Sequence, residues 1–290
     1  MRVGLHAIGI GSGADPSVIT AVARTADTAG FATLWAGEHV VMVDRPDSPY
    51  PYADDRRIAV PSDSDWLDPL VALALAAAVT TGIRLATGVL LLPEHHPVLV
   101  AKQAASLDVI SRGRFTLGVG IGWSAEEFAA LGIPYAGRAR RTAEYVAAMR
   151  TLWRDDPASF EGEFVTFREV RCFPKPVGAG GIPVVLGGNS DPALDRVAAF
   201  GDGWYGFSLP LDQVPERMDA LRARCATAGR RPDSVRVAIA VEGSGPEARD
   251  ELAARGVDEA VVVGSPPADP LDAADWVLQL AADWRVSRPD

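Results

Sequence analysis

The sequence predicts an α/β fold: a closed (β/α)8 TIM barrel with insertions after strand 2 and before strand 5. Eight short apolar runs alternate with helix-length segments, which indicates a parallel sheet. The chain has 290 residues, a length typical of a barrel built from eight such units. An open, doubly wound sheet is the alternative that the same alternation allows. The sequence has no internal repeat, so we expect a single domain over residues 1–290.

The first half of the chain supplies four strands and four helices. In the first helix, Asp15 is suited to cap the N-terminus, Pro16 to occupy the first turn and Gly30 to end the helix. The segment 41–65 is rich in Pro, Asp and Tyr and is expected to form a lid or a binding loop. Strands are predicted over residues 3–8, 32–36, 84–92 and 113–123, and helices over residues 16–29, 68–81, 97–111 and 139–154.

The second half of the chain continues the alternation after one interruption. Residues 158–173 alternate aromatic and charged side chains, which predicts an added hairpin, the insertion before strand 5. Strands are predicted over residues 182–187, 203–207, 235–241 and 259–263, and helices after Pro192 and over residues 211–228, 246–255 and 270–285.

Composition limits the partners of this chain. The net charge is −10, from 28 basic and 38 acidic residues, which argues against a general nucleic-acid-binding protein. Cys172 and Cys225 form neither a disulfide framework nor a metal-ligand pattern. The N-terminal segment lacks the features of a signal peptide, and the apolar runs are too short for a membrane. We therefore expect a cytoplasmic protein with a small-molecule substrate. The helix over 68–81 is apolar on all sides, which favours a homodimer.

Candidate functional residues follow from the barrel, because its chemistry takes place at the carboxyl ends of the strands. His39 follows strand 2, where an imidazole can donate or accept a proton at neutral pH, and Glu38 can orient it. A packed histidine and a solvated glutamate are the alternatives. Trp66, Trp123 and Trp204 lie in loops or at strand ends, where they can line an apolar substrate pocket or simply pack the loops.

Two glycine clusters mark places where a ligand can approach the backbone. Residues 187–190 precede a helix and can bind an anion through backbone amides, unless a polar residue there merely caps the helix. Gly118, Gly120 and Gly122 alternate at the end of strand 4 and do not match the dinucleotide fingerprint. They indicate either a tight strand exit or a close approach to a ligand.

Other charged residues are ambiguous in the sequence. His95 and His96 are adjacent and have no third ligand at metal spacing, so we interpret them as loop residues and expect no metal site. Arg138, Arg140 and Arg141 begin the fourth helix, where positive charge is locally unfavourable. They are expected to meet an anionic partner or to be exposed and paired with an acidic residue of the same helix.

Several motifs together resemble the luciferase-like (bacterial luciferase) oxidoreductases, and most of all the branch that depends on the deazaflavin coenzyme F420. The resemblance is strong over residues 1–207 and weaker beyond. Its motifs are Ala36-Gly37-Glu38-His39-Val40, Thr87-Gly88-Val89-Leu90-Leu91-Leu92-Pro93, the block over residues 101–123, Phe160-Glu161-Gly162, Pro174-Lys175-Pro176, Leu186-Gly187-Gly188 and Asp202-Gly203-Trp204.

The resemblance implies a barrel with a flat cofactor ring lying across the strand ends. It implies a non-prolyl cis peptide at Gly88-Val89, behind the ring, and makes His39 a proton donor or substrate ligand. Trp123 stands where sugar-phosphate dehydrogenases of the family carry a glutamate, so an apolar or planar substrate is expected. The residues that the resemblance assigns to the cofactor are Thr87, Gly88, Val89, Gly120, Gly122, Gly187, Gly188 and Asn189.

The activity implied by the resemblance is hydride transfer. An F420-dependent oxidoreductase would exchange a hydride between C5 of the deazaflavin and a small organic substrate, reducing a C=C, C=O or C=N bond. His39 would act as the acid. An FMN-dependent luciferase-like monooxygenase and a non-catalytic cofactor-binding relative are the alternatives.

Overall fold

Eight parallel strands close into a barrel, which confirms the predicted fold class. The computed structural model describes residues 1–241 and 245–287. Its strands are β1 (Arg2–His6), β2 (Thr33–Ala36), β3 (Arg84–Thr87), β4 (Leu90–Leu91), β5 (Phe115–Gly120), β6 (Ala158–Glu161), β7 (Thr166–Val170), β8 (Val184–Gly187), β9 (Gly203–Leu209), β10 (Arg236–Val241) and β11 (Glu259–Val263). Around the barrel the order is β1, β2, β3 together with β4, β5, β8, β9, β10 and β11. Strand β11 pairs with β1 and closes the barrel.

Helices cover the outside of the barrel and begin largely where the sequence predicts. They are α1 (Pro16–Ala29), α2 (Pro69–Val79), α3 (Pro97–Ile110), α4 (Ala125–Ala130), α5 (Arg138–Arg154), α6 (Asp191–Phe200), α7 (Val214–Thr227), α8 (Ala248–Ala254) and α9 (Pro270–Asp283). Asp15, Asp68 and Asp269 each accept backbone N–H groups ahead of a proline in the first turn, a strong local start signal. Within residues 1–241 and 245–287, no helix combines the length and the apolar character needed to span a membrane.

The predicted third strand is in fact two short strands separated by a bulge. The register advances four residues on one strand, from Ala86 to Leu90, while its neighbour β5 advances three, from Thr116 to Val119. One extra residue therefore has to be accommodated, which breaks the ladder. The peptide bond within this bulge, Gly88-Val89, is cis, as the family resemblance implies.

Both predicted insertions are present. After β2 the chain runs through a long segment to α2, and Trp66 in this segment forms a single antiparallel bridge with Ile10. The Glu126 carboxylate at the start of α4 fastens the segment by accepting the backbone N–H groups of Asp47 and Ser48 at 2.9 and 3.0 Å. Before β8, strands β6 and β7 form an antiparallel hairpin. The first insertion lies over the strand ends, where a lid would lie.

An apolar cluster fills the inside of the barrel beneath the carboxyl ends of its strands. Trp35 stacks on Tyr205 with ring centroids 4.6 Å apart, and Ala86, Val185 and Val261 pack around them. At the opposite end of the barrel, the buried Glu259 carboxylate accepts hydrogen bonds from Trp35 Nε1 and Thr33 Oγ1. The interior is therefore a packed core, with a small cavity of about 50 Å³ beside Glu259 and a much larger open space at the carboxyl end.

Exposed apolar side chains on α2 and α3 give the homodimer prediction a location. Val71 is 64%, Leu99 63% and Ile110 55% exposed, and the two helices pack side by side. If a second copy covers this face, Leu99→Glu should convert a dimer into a monomer, because an unpaired charge would be buried. Light scattering at micromolar concentration measures the mass. Leu271→Glu is the matched control on α9, where Leu271 is 77% exposed, and a monomeric wild type would contradict the prediction.

Candidate active site

A cleft of about 780 Å³ opens at the carboxyl ends of the barrel strands. Its walls come from the segments that follow β1, β2, β5, β8 and β9, and from the long insertion between β2 and α2. The lining is largely apolar, with a few polar side chains directed inward. Clefts of this size and character hold cofactors and small molecules.

His39 stands in the cleft with one ring nitrogen already engaged. Its Nδ1 lies 2.8 Å from Oε2 of Glu127, and the two side chains are 7% and 1% exposed. The other carboxylate oxygen, Oε1, accepts the backbone N–H groups of Val40 and Val41 at 2.7 and 3.2 Å. The ring lines the cleft, and its Nε2 has no hydrogen-bond partner among the described residues. A buried imidazole–carboxylate pair with a free nitrogen is suited to proton transfer.

Aromatic rings enclose His39. Trp66 and Trp123 meet its ring edge-on, with centroid distances of 4.9 and 5.7 Å, and Tyr50 meets Trp123 in the same way at 5.3 Å. Trp66 Nε1 donates to the carbonyl of Gly37 at 3.1 Å, so its indole is fixed. The wall next to His39 is thus flat and apolar, which suits a planar substrate.

The Glu38 carboxylate makes two contacts with the segment that follows the bulge. Its Oε2 accepts the backbone N–H of Leu91 at 2.5 Å, and its Oε1 lies 3.0 Å from Nε2 of His95. The side chain is 3% exposed. These contacts tie the end of β2 to β4 and to the following turn. They favour a structural role for Glu38 over the catalytic role that the sequence suggests.

Glu94 is a buried carboxyl group without a partner. Neither of its side-chain oxygens has a hydrogen bond within the described ranges. Burial, together with the negative charges of Glu127 and Glu38, raises the pKa of Glu94 from 4.5 to about 9. The folded protein therefore holds Glu94 protonated at neutral pH, because an isolated charge there would be costly.

We expect Glu94→Gln to stabilise the protein by an amount that grows with pH. Between a pKa near 4.5 in the unfolded chain and about 9 in the folded chain, the folded state holds the extra proton, so wild-type stability falls as pH rises. An amide does not titrate, so the difference between variant and wild type should grow by up to about 1.4 kcal/mol per pH unit. Urea denaturation at several pH values between these limits measures it, and a constant difference would contradict a buried neutral carboxyl.

One end of the cleft is suited to an anion. Gly188, with φ of +106°, turns the chain into the N-terminus of α6, where the Ser190 side chain caps no backbone N–H. Arg138 and Arg196 line the same cleft, and burial, then the charge of Arg138, lowers the pKa of the Arg196 guanidinium. Neither arginine forms a salt bridge in the described part of the chain. Two arginines that form no salt bridge among the described residues, beside a helix N-terminus, favour a bound anion.

The glycines at the ends of β5 and β8 make room for the bulge. A Cβ at Gly120 would lie 2.7 Å from Cγ2 of Val89, and one at Gly187 would lie 3.0 Å from its Cγ1. Gly122 has φ of +75°, and a Cβ there would lie 2.5 Å from Phe128. These glycines are therefore needed for packing within the protein. Val89 itself lines the cleft.

The floor of the cleft carries a second buried polar pair. His6 Nδ1 lies 2.8 Å from the hydroxyl of Tyr205, and both residues line the cleft. Burial lowers the pKa of His6 to about 4 and raises that of Tyr205. Both groups are therefore neutral near pH 7. The His6–Tyr205 pair contains no carboxylate, which distinguishes it from the His39–Glu127 pair.

Comparison with known proteins identifies the family. Residues 3–281 match the sequence model of the luciferase-like monooxygenases. The chain belongs to the luciferase-like monooxygenase family. Members of this family are oxidoreductases or monooxygenases, so the resemblance seen in the sequence is confirmed at the level of the family.

Relatives of this luciferase-like protein span nearly its whole length. An uncharacterised protein of Mycobacterium tuberculosis is 37% identical over 263 residues, which cover 90% of this chain and 92% of that protein. The monooxygenase RslO1 from Streptomyces bottropensis has the same fold, with a TM-score of 0.77 at 21% identity and 98% coverage of both chains. The coenzyme F420-dependent tetrahydromethanopterin reductase of Methanopyrus kandleri gives a TM-score of 0.75 at 16% identity, covering 98% of this chain and 99% of that one.

Most residues that the sequence assigns to the site do line the cleft of this luciferase-like barrel. They are Glu38, His39, Trp66, Gly88, Val89, Gly120, Gly122, Trp123, Gly187, Gly188 and Asn189. The Asn189 side chain donates from Nδ2 to the carbonyl of Phe207 at 2.7 Å, while its buried Oδ1 has no partner among the described residues. No group of three or more His, Cys, Asp or Glu side chains there could hold a metal ion.

Two of the predicted site residues, Thr87 and Trp204, do not line the cleft. Thr87 is fully buried, and its hydroxyl donates to the carbonyl of Gly118 at 2.6 Å, so it joins two strands. Trp204 is fully buried and packs in the core between sheet and helices, with Nε1 donating to the Gly188 carbonyl at 2.8 Å. Strand β9 continues to Leu209, five residues past Trp204, so this tryptophan is not at the strand end.

Glu127 and Arg196 are site residues that the sequence analysis misses. Ser124 and Glu127 have the Ser-x-x-Glu spacing that signals a helix N-terminus, and Ser124 Oγ does accept the N–H of Glu127 at 3.2 Å. That spacing follows the predicted fourth strand, which is β5 in the structure, and it is the sequence signal that points to Glu127. Arg196 carries no local signal, because its position depends on how α6 packs. Arg138 lines the cleft and donates from Nε to the Gly122 carbonyl at 3.2 Å, whereas Arg140 is exposed and pairs with Glu163 of the hairpin.

Proposed function

We propose that this luciferase-like protein is an oxidoreductase dependent on coenzyme F420. It exchanges a hydride between C5 of the deazaflavin and a small organic substrate, reducing a C=C, C=O or C=N bond. The observation that carries the proposal is the His39–Glu127 pair, 2.8 Å apart and nearly buried, with Nε2 of the imidazole in the cleft. Hydride transfer to such a bond needs a proton at the neighbouring atom, and this pair can supply it.

The residues of the cleft fit such a cofactor. The bulge presents Val89 and a glycine backbone to a flat ring, without a large side chain in the way. The N-terminus of α6, with Gly188, and the Arg138 and Arg196 side chains would hold the cofactor's phosphate. The unpartnered Asn189 Oδ1 is the acceptor in the same region for a hydroxyl or N–H of the ligand.

The chain's own residues supply position and a proton. When bound, the deazaflavin provides the hydride. Trp66 and Trp123 form an apolar wall beside His39 that excludes water and aligns a flat substrate. Protonated His39 would donate from Nε2 to the atom that gains the proton, and Glu127 would hold the ring in place.

An FMN-dependent monooxygenase is the second candidate. The family description and the similar fold of the monooxygenase RslO1 favour it, and the same anion site would accept the phosphate of FMN. The two candidates share the cleft but differ in their use of oxygen. A cytoplasmic location and a homodimer complete the proposal.

A spectroscopic titration tests the cofactor. The purified protein is titrated with F420 and, separately, with FMN, and binding is followed by the absorbance and fluorescence of the cofactor. F420 binding, followed by its reoxidation or reduction with an organic substrate, supports the proposal. Oxygen consumption with reduced FMN alone supports the second candidate. Arg196→Glu is the matched variant that should abolish binding of either cofactor, and a wild type that binds neither overturns both functions.

A further inference from the structure

The contacts of Glu127 determine which nitrogen of His39 carries the proton. Oε1 of Glu127 faces two backbone N–H groups, those of Val40 and Val41, and Oε2 faces Nδ1 of His39 at 2.8 Å. A carboxylate can only accept hydrogen bonds. The ring nitrogen opposite it must therefore donate, so Nδ1 carries a hydrogen whether the ring is neutral or charged.

We propose that Glu127 is a positioning residue that fixes His39 in the Nδ1–H tautomer. The neutral ring then presents an unprotonated Nε2 to the cleft and can only accept a hydrogen bond there. Donation to a substrate requires the charged ring, and Glu127 is the carboxylate that stabilises this charge. This consequence for catalysis rests on the proposed function, whereas the tautomer does not.

The backbone of the turn after β2 makes the tautomer switchable by a single substitution. In Glu127→Gln, the amide oxygen has to face the two backbone N–H groups, because an amide NH2 there would leave three donors without an acceptor. The NH2 group then points at Nδ1 of His39. A neutral ring can meet it only by accepting at Nδ1, so its hydrogen moves to Nε2. The substitution should thus invert the tautomer while it preserves the shape of the pair.

Nuclear magnetic resonance of protein labelled with ¹⁵N-histidine tests the inference without substrate or cofactor. The chain has 4 histidines, and the His39→Gln variant identifies the signals of His39. Long-range ¹H–¹⁵N correlation at about pH 9, above the ordinary imidazole pKa of about 6.5, reports which nitrogen is protonated. We expect Nδ1–H in the wild type and Nε2–H in Glu127→Gln. A wild type with Nε2–H overturns the inference.

Two variants separate the tautomer from general damage. Glu126→Gln changes the neighbouring glutamate, which binds the backbone of Asp47 and Ser48, and should leave His39 in the Nδ1–H form. Glu127→Asp keeps a carboxylate and should retain Nδ1–H. A Glu127→Gln variant that folds and still shows Nδ1–H contradicts the inference. If that variant does not fold, the wild-type spectrum alone decides.

Kinetics connect the tautomer to the proposed function. With the Nε2–H tautomer and no carboxylate behind the ring, kcat should fall about 10²- to 10⁴-fold, with KM little changed. Cofactor binding without any turnover in the wild type, together with the Nδ1–H tautomer, would reject the proposed function and keep the inference. Normal turnover with a wild-type Nε2–H tautomer would reject the inference and keep the function.

Discussion

Gly118→Ala is expected to prevent stable folding of the barrel. A Cβ at this position would lie 1.8 Å from the carbonyl oxygen and 3.0 Å from the carbonyl carbon of Thr87. Both are backbone atoms, so no side-chain rotation can relieve the clash. The Thr87 hydroxyl also donates to the Gly118 carbonyl at 2.6 Å, which holds the two strands at this distance. We expect a loss of at least about 4 kcal/mol in the free energy of unfolding, measured by urea denaturation.

Gly180→Ala is the matched control for this substitution. No atom lies within 4 Å of a Cβ at Gly180, so the same added methyl group should change stability by no more than about 0.5 kcal/mol. If Gly118→Ala were as stable as this control, β3 and β5 would have to move apart at little cost. That result would show that the close approach at the bulge is not required by the fold.

The order of strands and helices could be predicted because its signals are local. Asp followed by Pro begins α1, α2 and α9 through contacts within one turn. The apolar runs between the helices are short and regularly spaced, which favours parallel pairing. Strand ends are less local. The sequence places the end of the sixth strand at residue 207, but the pairing of Val241 with Leu209 extends β9 further.

The glycine pattern shows where prediction from sequence stops. The alternation at Gly118, Gly120 and Gly122 does mark a place where something comes close to the backbone. In the folded protein that neighbour is the protein itself: the Thr87 backbone and the side chains of Val89 and Phe128. Glycines in this pattern indicate that space is needed beside the backbone. Tertiary packing decides which group fills that space.

The part of the candidate site that lies at strand ends could be predicted, because the carboxyl ends of all the strands lie at the same end of the barrel. That geometry brings His39, Trp123 and Gly188 to a common cleft although they are far apart in sequence. The partner of His39 could not be found in this way. Glu127 reaches it from a helix 88 positions away, and the adjacent Glu38, the partner suggested by sequence, binds Leu91 and His95 instead.

His39→Gln should lower kcat for every accepted substrate by about 10²- to 10⁴-fold, the usual contribution of a general acid or base. At about 1.4 kcal/mol per factor of ten, this is about 3 to 6 kcal/mol of lost transition-state stabilisation. Glutamine can still donate to Glu127 and fill the space between Trp66 and Trp123, but it cannot transfer a proton. Steady-state kinetics at saturating cofactor, with cofactor affinity measured separately, checks the result.

His95→Gln separates the loss of a proton donor from the loss of an imidazole. His95 also pairs with a buried glutamate, 3.0 Å away, and its side chain is 23% exposed, but it does not line the cleft. We expect its turnover to stay close to that of the wild type, because Nε2 of His95 faces Glu38 and not the substrate. Full turnover in His39→Gln with cofactor bound would show that the proton comes from elsewhere. His6, which pairs with Tyr205, carries the other imidazole in the cleft. His6→Gln would then be the variant expected to lose activity.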